Sequence, residues 1–139
     1  MSARTKGRKR AVDALYAAQL RDAMASDLLE EAESSVSERE NQEPIFNFAK
    51  EIVHGVLLHQ TDIDEMISSL AQNWTIERMP AVDLAILRVG CFEIAFATST
   101  PTEVAISEAV NLARELSTEE SPAFINGILS AIAATRKPI

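Results

Sequence analysis

The sequence predicts an all-α fold, a single compact domain of about seven helices in two packed helical subdomains that divide near residue 60. Three observations carry this prediction. Apolar residues recur at helical spacing over long stretches, strand-like alternation is hard to find, and only four glycines occur. Because 139 residues can bury a core without disulfides, we expect one domain over residues 1–139.

The first predicted helix begins inside a basic cluster. Five of the thirteen Lys and Arg residues lie in the first ten positions, namely Arg4, Lys6, Arg8, Lys9 and Arg10. Their i, i+3 and i, i+4 spacing, followed by apolar residues at 11, 14, 15 and 18, predicts the first turns of an amphipathic helix. Ser26 or Asp27 is expected to cap a weaker second helix, before a polar loop or frayed helix over residues 33–43.

The third and fourth helices are predicted from a proline and an apolar stripe. Pro44 suits the first turn of a helix, where its missing N–H group has no cost. The stripe runs from residue 45 to residue 56. Thr61 or Asp62 is then expected to cap a fourth helix, and residues 74–80 are predicted to be a connector.

The last three helices follow from clear signals. Residues 81–97 have the strongest helical periodicity in the chain, and residues 98–101 (TSTP) break it. Thr102 is expected to cap the sixth helix, and Ser121-Pro122 is expected to open the seventh. The chain is thus predicted to alternate helices with short connections.

Charge is distributed unevenly along the chain. The net charge is −8, yet positions 11–139 carry 8 basic and 21 acidic residues. An acidic body with one basic arm favours binding of a polyanion to the arm, and nucleic acid is the obvious polyanion. A basic terminus that only aids solubility is the alternative. Binding to acidic lipid is disfavoured, because Asp13 and Asp22 belong to the same predicted helix.

Cysteine content and hydropathy favour a soluble cytoplasmic protein. Cys91 is the only cysteine, so an intrachain disulfide and a Cys-based zinc site are excluded. Its neighbours Val89 and Phe92 predict that it is buried. No apolar run approaches the roughly 18 residues of a membrane-spanning helix, and we expect no membrane association.

No motif indicates catalysis, a metal or a cofactor. Glu51-x-x-His54 has the spacing of di-iron ligands, but the other histidine, His59, has no glutamate three residues before it. Asp62-x-Asp64 lacks the glycine and glutamate of an EF-hand. The glycines form no phosphate-binding loop. We therefore expect a protein that is not an enzyme, with no catalytic residue, no metal site and no cofactor.

Two features of the predicted helices invite interpretation. Glu93 lies between apolar residues of the strongest helix, where a hydrogen bond to another helix is favoured over an acid–base role. Asn126-Gly127 interrupts an apolar helical stripe at a cost of about 1 kcal/mol or more. Either a close packing contact requires the glycine, or Phe124 and Asn126 are exposed on a binding surface.

Five stretches occur in a characteristic order and spacing. They are residues 8–16 (RKRAVDALY), Gly55-Val56 with Ile63-Asp64, residues 82–88 (VDLAILR) with Glu93, residues 104–113 (VAISEAVNLA), and Ser121 with residues 124–129 (FINGIL). In this order they resemble the NusB family of bacterial transcription antitermination factors over essentially the whole chain. Trp74 and the loop 116–121 (LSTEES) are similar to actinobacterial members.

The resemblance implies a function and a set of partners. Such a protein pairs with NusE, a ribosomal protein, and the pair binds boxA RNA. The complex joins the RNA polymerase antitermination complex and suppresses termination, chiefly in ribosomal RNA operons. Whether the protein is a monomer or a homodimer stays open, and so do the exact RNA element and the order of binding.

The resemblance also implies site residues. The RNA-binding positions are Arg4, Lys6, Arg8, Lys9, Arg10, Tyr16, Glu120 and Phe124, and the partner-binding positions are Asp83 and Arg88. Two departures affect the RNA contacts: Thr5 stands where some relatives have arginine, and Glu120 stands where others have aspartate. Two alternatives stay open. One is an RNA-binding module with this fold that is fused to an RNA cytosine methyltransferase, and the other is a ribosome-biogenesis chaperone that acts through NusE or structured RNA, which does not exclude antitermination.

Overall fold

The computed structural model describes residues 1–72, 74–97 and 99–135, which form helices and turns and no strand. The α-helices in these ranges are α1 (Ala3–Arg21), α2 (Ala25–Ser35), α3 (Glu43–Leu58), α4 (Gln60–Leu70), α5 (Ala81–Ala95), α6 (Thr102–Leu116) and α7 (Ser121–Thr135). A single 3-10 turn, Ile76–Arg78, precedes α5. The prediction of an all-α fold with seven helices is confirmed. Thr98, part of the predicted helix break, lies outside the described residues.

Helix α5 is the central element of the fold. Eleven of its fifteen residues are buried, since α4, α6 and α7 surround it and α1 and α3 pack against it as well. Helices α1, α2 and α3 pack on one another at the N-terminal side. Cys91 on α5 is fully buried, as predicted. One apolar core therefore runs through both groups of helices.

Two predicted helix starts are confirmed. Pro44 lies in the first turn of α3, and Ser121-Pro122 opens α7. The prediction that Thr102 caps α6 is wrong, because Thr102 is the first residue of the helix and Pro101 takes the capping position without a side-chain hydrogen bond. Proline and serine thus marked these helix starts correctly in the sequence.

The predicted caps of α2 and α4 are wrong. Helix α2 begins at Ala25 behind Met24, so Ser26 and Asp27 lie inside the helix. Helix α4 begins at Gln60, directly after His59. The His59 N–H donates the last hydrogen bond of α3 to the Gly55 carbonyl, and the His59 carbonyl accepts the first hydrogen bond of α4 from the Ile63 N–H. The His59 ring stacks on the Phe96 ring with centroids 4.0 Å apart. At the junction of α3 and α4 the His59 side chain therefore packs on Phe96 and does not cap the helix.

Candidate nucleic-acid interface

The basic cluster forms the first turns of α1, as the sequence predicts. Ser2 caps the helix, and its Oγ accepts from the Thr5 N–H at 3.0 Å. Arg4 and Lys6 are exposed, and Lys9 and Arg10 are half-buried. The cluster is therefore an ordered helix face and not a loose tail.

Arg8 is the exception, because its side chain points into the protein and only 3% of the residue is exposed. Its Nε donates to both carboxylate oxygens of Glu93, at 3.0 and 2.9 Å, and its Nη1 donates to Glu108 Oε1 at 3.2 Å. Thr100 Oγ1 donates to Glu93 as well, at 3.3 Å. The prediction that Glu93 bonds to another helix is confirmed. The guanidinium of Arg8, which the resemblance assigned to RNA binding, faces the buried Glu93 carboxylate and the partly buried Glu108 carboxylate.

Helix α3 supports the arginines on either side of Arg8. The guanidinium carbon of Arg4 lies 4.9 Å from the centre of the Phe48 ring, and that of Arg10 lies 5.0 Å from the centre of the Phe46 ring. The close approach of α1 to α3 depends on Gly7, because a Cβ there would stand 2.8 Å from the carbonyl oxygen of Ile45. Cation–π contacts of this kind restrict the side chains while leaving their charge available.

Two titratable groups next to Arg10 have shifted pKa values. Lys9 Nζ donates to Glu115 at 2.5 Å, and this hydrogen bond raises the pKa of Lys9. Partial burial raises the pKa of Asp13, against the opposing effect of the Lys9 and Arg10 charges. Asp13 and Glu115 are thus the carboxylates that moderate the positive charge of this helix face.

Aromatic side chains form a second exposed region. The Phe124 ring is half-buried, and its centre lies 6.3 Å from that of Trp74 at an interplanar angle of 59°. Trp74 is 48% exposed. With Glu120 they border a cavity of about 130 Å³. Phe124 and Glu120 are among the RNA-binding positions that the resemblance implies, whereas the contact of Trp74 with Phe124 was not predicted from the sequence.

Tyr16 continues the exposed surface of α1. It is 37% exposed and lies six residues after Arg10, about 9 Å further along the helix. Leu20, one turn beyond, is also exposed. Tyr16 is therefore accessible to a ligand that follows α1 from its basic end.

The two predicted partner-binding residues hold helices together. Asp83 is buried at the start of α5, where it accepts from Ser117 Oγ at 2.5 Å and from Ser121 Oγ at 2.8 Å. Arg88 makes a bidentate pair with Asp64 on α4, with Nε–Oδ1 and Nη2–Oδ2 distances of 2.9 Å. The side chains of Asp83 and Arg88 are thus committed to contacts within the chain.

Asn126-Gly127 lies on the surface of α7. Both residues are exposed, and a Cβ added to Gly127 would meet nothing within 4 Å. Close packing against the glycine, one of the two explanations of this pair, is therefore wrong. Asn126 lines a different cavity from Phe124, beside Val110 and Arg114 of α6, so the two residues do not border one cavity.

The described ranges contain neither a metal-binding cluster nor a membrane span. No three His, Cys, Asp or Glu side chains in residues 1–72, 74–97 and 99–135 are grouped to hold a metal ion. None of the helices in the same ranges is both long and apolar enough to cross a membrane.

These features define a class of protein: an all-helical fold that presents a cationic helix face and exposed aromatic rings on an acidic body. The sequence matches the NusB family over residues 5–134. The transcription antitermination protein NusB of Clavibacter michiganensis subsp. michiganensis is 50% identical over 137 residues, which cover 98% of this chain and 99% of that protein. The chain belongs to the NusB family, whose matched curated members are transcription antitermination proteins and not enzymes.

Another relative and two solved structures agree with this assignment. The NusB protein of Leifsonia xyli subsp. xyli is 50% identical over 137 residues, which cover 98% of this chain and 94% of that protein. NusB of T. maritima superposes with a TM-score of 0.87 at 29% identity, covering 99% of this chain and 95% of that chain. NusB in a crystal structure of the antitermination factors NusB and NusE with dsRNA also gives 0.87, at 27% identity, covering 98% of this chain and 99% of that chain.

Proposed function

We propose that this protein is a transcription antitermination factor that binds boxA RNA together with NusE. As part of the RNA polymerase antitermination complex it suppresses termination, chiefly in ribosomal RNA operons. The observation that carries the proposal is the ordered cationic face of α1 on a chain whose remaining residues are strongly acidic. The NusB–NusE–dsRNA complex formed by a structural relative supports it.

The proposed RNA-binding residues follow from exposure. Arg4, Lys6, Lys9 and Arg10 supply charge for backbone phosphates, which dominate the affinity of proteins for nucleic acid. Tyr16 and Phe124 offer aromatic faces on which bases stack, and Glu120 borders the cavity beside Phe124. Arg8 positions the α1 face through its buried ion pair and does not contact RNA in this proposal.

The NusE-binding surface is proposed to depend on Asp83 and Arg88 as positioning residues. Asp83 fixes the start of α5 against Ser117 and Ser121, at the wall of the Trp74–Phe124 cavity. Arg88 fixes α4 against α5 through Asp64. Each residue would shape the surface that a basic ribosomal protein meets.

The test is to purify the tagged protein from its own cells and to identify the protein and RNA that accompany it. NusE and nascent RNA containing boxA are expected together, and RNase should leave NusE bound. Recovery of assembled ribosomal RNA precursors without boxA would contradict the proposal and favour a chaperone in ribosome biogenesis.

A further inference from the structure

The loop between α2 and α3 carries one arginine that belongs to no helix. Arg39 is exposed, and its backbone N–H donates to the carbonyl of buried Val36 at 2.9 Å. Asn41 takes the left-handed conformation with φ 63°, which asparagine adopts more readily than most residues. Gln42 Nε2 donates to the Glu40 carbonyl at 3.3 Å. These contacts within the loop give Arg39 a defined position.

This loop faces the basic end of α1 across a cavity of about 470 Å³. Arg39 and Gln42 line one side, and Lys6, Lys9 and Arg10 line the other. Side chains up to 36 positions apart in sequence thus meet at one site that neither segment forms alone. Five of the side chains that border it, those of Lys6, Lys9, Arg10, Arg39 and Gln42, are hydrogen-bond donors of the kind that a phosphate group requires, and Met1, Asp13 and Ile45 complete the lining.

The cavity keeps most of its positive charge. Asp13 also lines it, and Lys9 is paired with Glu115. Among the residues that the structure describes, Lys6, Arg10 and Arg39 form no ion pair. Four cations therefore face one lining carboxylate, and three of the cations are available to a bound anion.

We propose that this cavity holds a backbone phosphate of the RNA, with Arg39 supplying a cation from outside the N-terminal arm. The inference rests on the proposed function and adds a second segment of the chain to the RNA site. Two elements that grip one phosphate from opposite sides fix the position of the strand on the protein. The strand would thereby pass between the basic end of α1 and the α2–α3 loop.

The test compares Arg39→Gln with Arg21→Gln in titrations of single-stranded boxA RNA in the presence of NusE. Both variants remove one exposed arginine charge, but Arg21 ends α1 and does not line the cavity. It lies about 16 Å beyond Arg10 along the helix, further than the Debye length of about 10 Å at 0.1 M salt. Arg39→Gln is expected to make the slope of log K against log salt less negative by about 0.7, and Arg21→Gln should leave the slope unchanged.

A scan of the same RNA with single neutral methylphosphonate linkages locates the phosphate. One linkage should weaken binding to the wild-type protein and to Arg21→Gln, and should have a smaller effect in Arg39→Gln, because the contact with Arg39 is then already lost while those with Lys6 and Arg10 remain. Equal behaviour of the two variants, or additive effects at every linkage, would overturn the inference. Binding of inorganic phosphate to the cavity without coupling at any linkage would also overturn it. Loss of RNA binding by the wild-type protein itself would instead contradict the proposed function.

Discussion

Arg8 differs from its four basic neighbours because its guanidinium lies inside the protein. Burial of a charge is costly unless hydrogen bonds and an opposite charge compensate for it. Glu93 on α5 and Glu108 on α6 supply that compensation, so a single side chain joins three helices. This buried contact holds the first turns of α1, which carry the exposed cations, against α5 and α6.

Arg8→Ala is therefore expected to lower the free energy of unfolding by about 3–5 kcal/mol, because it leaves the buried Glu93 carboxylate unpaired. Lys9→Ala, the neighbouring control, should cost less than about 1 kcal/mol, because its pair with Glu115 is largely exposed. Urea denaturation followed by circular dichroism measures both. A double variant, Arg8→Met with Glu93→Leu, should recover much of the loss. Equal stability of Arg8→Ala and Lys9→Ala would exclude a structural role for the pair.

Phe124 is half-buried, so its ring is neither a full part of the core nor fully open to a stacking base. Phe124→Ala is expected to reduce RNA affinity in the presence of NusE by about 1–3 kcal/mol, the loss of one base–aromatic stack. Its cost in stability should stay below the about 3–5 kcal/mol of a fully buried phenylalanine. Phe46, which is fully buried, is the matched control for that larger loss. Thermal melting and RNA titration of the same samples give both quantities, and full affinity of Phe124→Ala would remove the ring from the RNA site.

At the scale of helices, two glycines that both lie inside a helix differ in the space around them. Gly55 on α3 lies against the Phe92 ring, which occupies the space that a Cβ would need. Gly127 on α7 has open space in that direction. Helix-helix contact thus explains Gly55, and it does not explain Gly127.

Gly127→Ala should raise the free energy of unfolding by about 0.5–1 kcal/mol, the usual gain of alanine over glycine inside a helix. Gly55→Ala should be destabilising, because α3 and α5 must separate to admit the methyl group. Chemical denaturation of the two variants checks the difference in sign. Destabilisation by Gly127→Ala would show that α7 packs more closely at this point than the structure indicates.

Helices were predictable from the sequence, and several of their ends were not. Apolar periodicity predicted six of the seven α-helices of the described chain, α2 was predicted from a cap that proved wrong, and Pro44 marked a start. The start of α4 depends on His59, whose ring packs on Phe96, a contact between residues distant in sequence.

The site was only partly predictable for the same reason. Arg8 precedes the buried residues Ala11, Val12 and Leu15 by three, four and seven positions, so the helical period contained a sign of its burial. Arg39 gave no comparable signal, because it lies in a polar loop between Glu38 and Glu40. Only the fold brings it to the basic end of α1.

The whole molecule is electrically polar. Positions 1–10 contain five basic residues and no acidic residue, whereas the remainder has 21 acidic and 8 basic residues. Such a body repels RNA away from α1 and attracts a basic protein. The two proposed partners therefore suit different parts of one surface.

Association with NusE is accordingly expected to slow by about tenfold or more from low to high salt, because charge complementarity accelerates encounter. The dissociation rate should change less. Stopped-flow measurements with labelled NusE separate the two rates. An association rate that is indifferent to ionic strength would contradict electrostatic steering by the acidic body.

Binding of RNA phosphates by the exposed face of α1 can be measured through the salt dependence of boxA RNA affinity with NusE present. With about three phosphates engaged, the wild-type protein should give a slope of log K against log salt near −2. Changing Arg4, Lys6 and Arg10 to Gln leaves the buried Arg8 in place, so circular dichroism should be unchanged. That variant should bind RNA more weakly, and its slope should be clearly less negative than that of the wild-type protein, with only the shares of Lys9 and Arg39 remaining. If the folded triple variant kept the slope and the affinity of the wild-type protein, the exposed face of α1 would not be the RNA-binding surface.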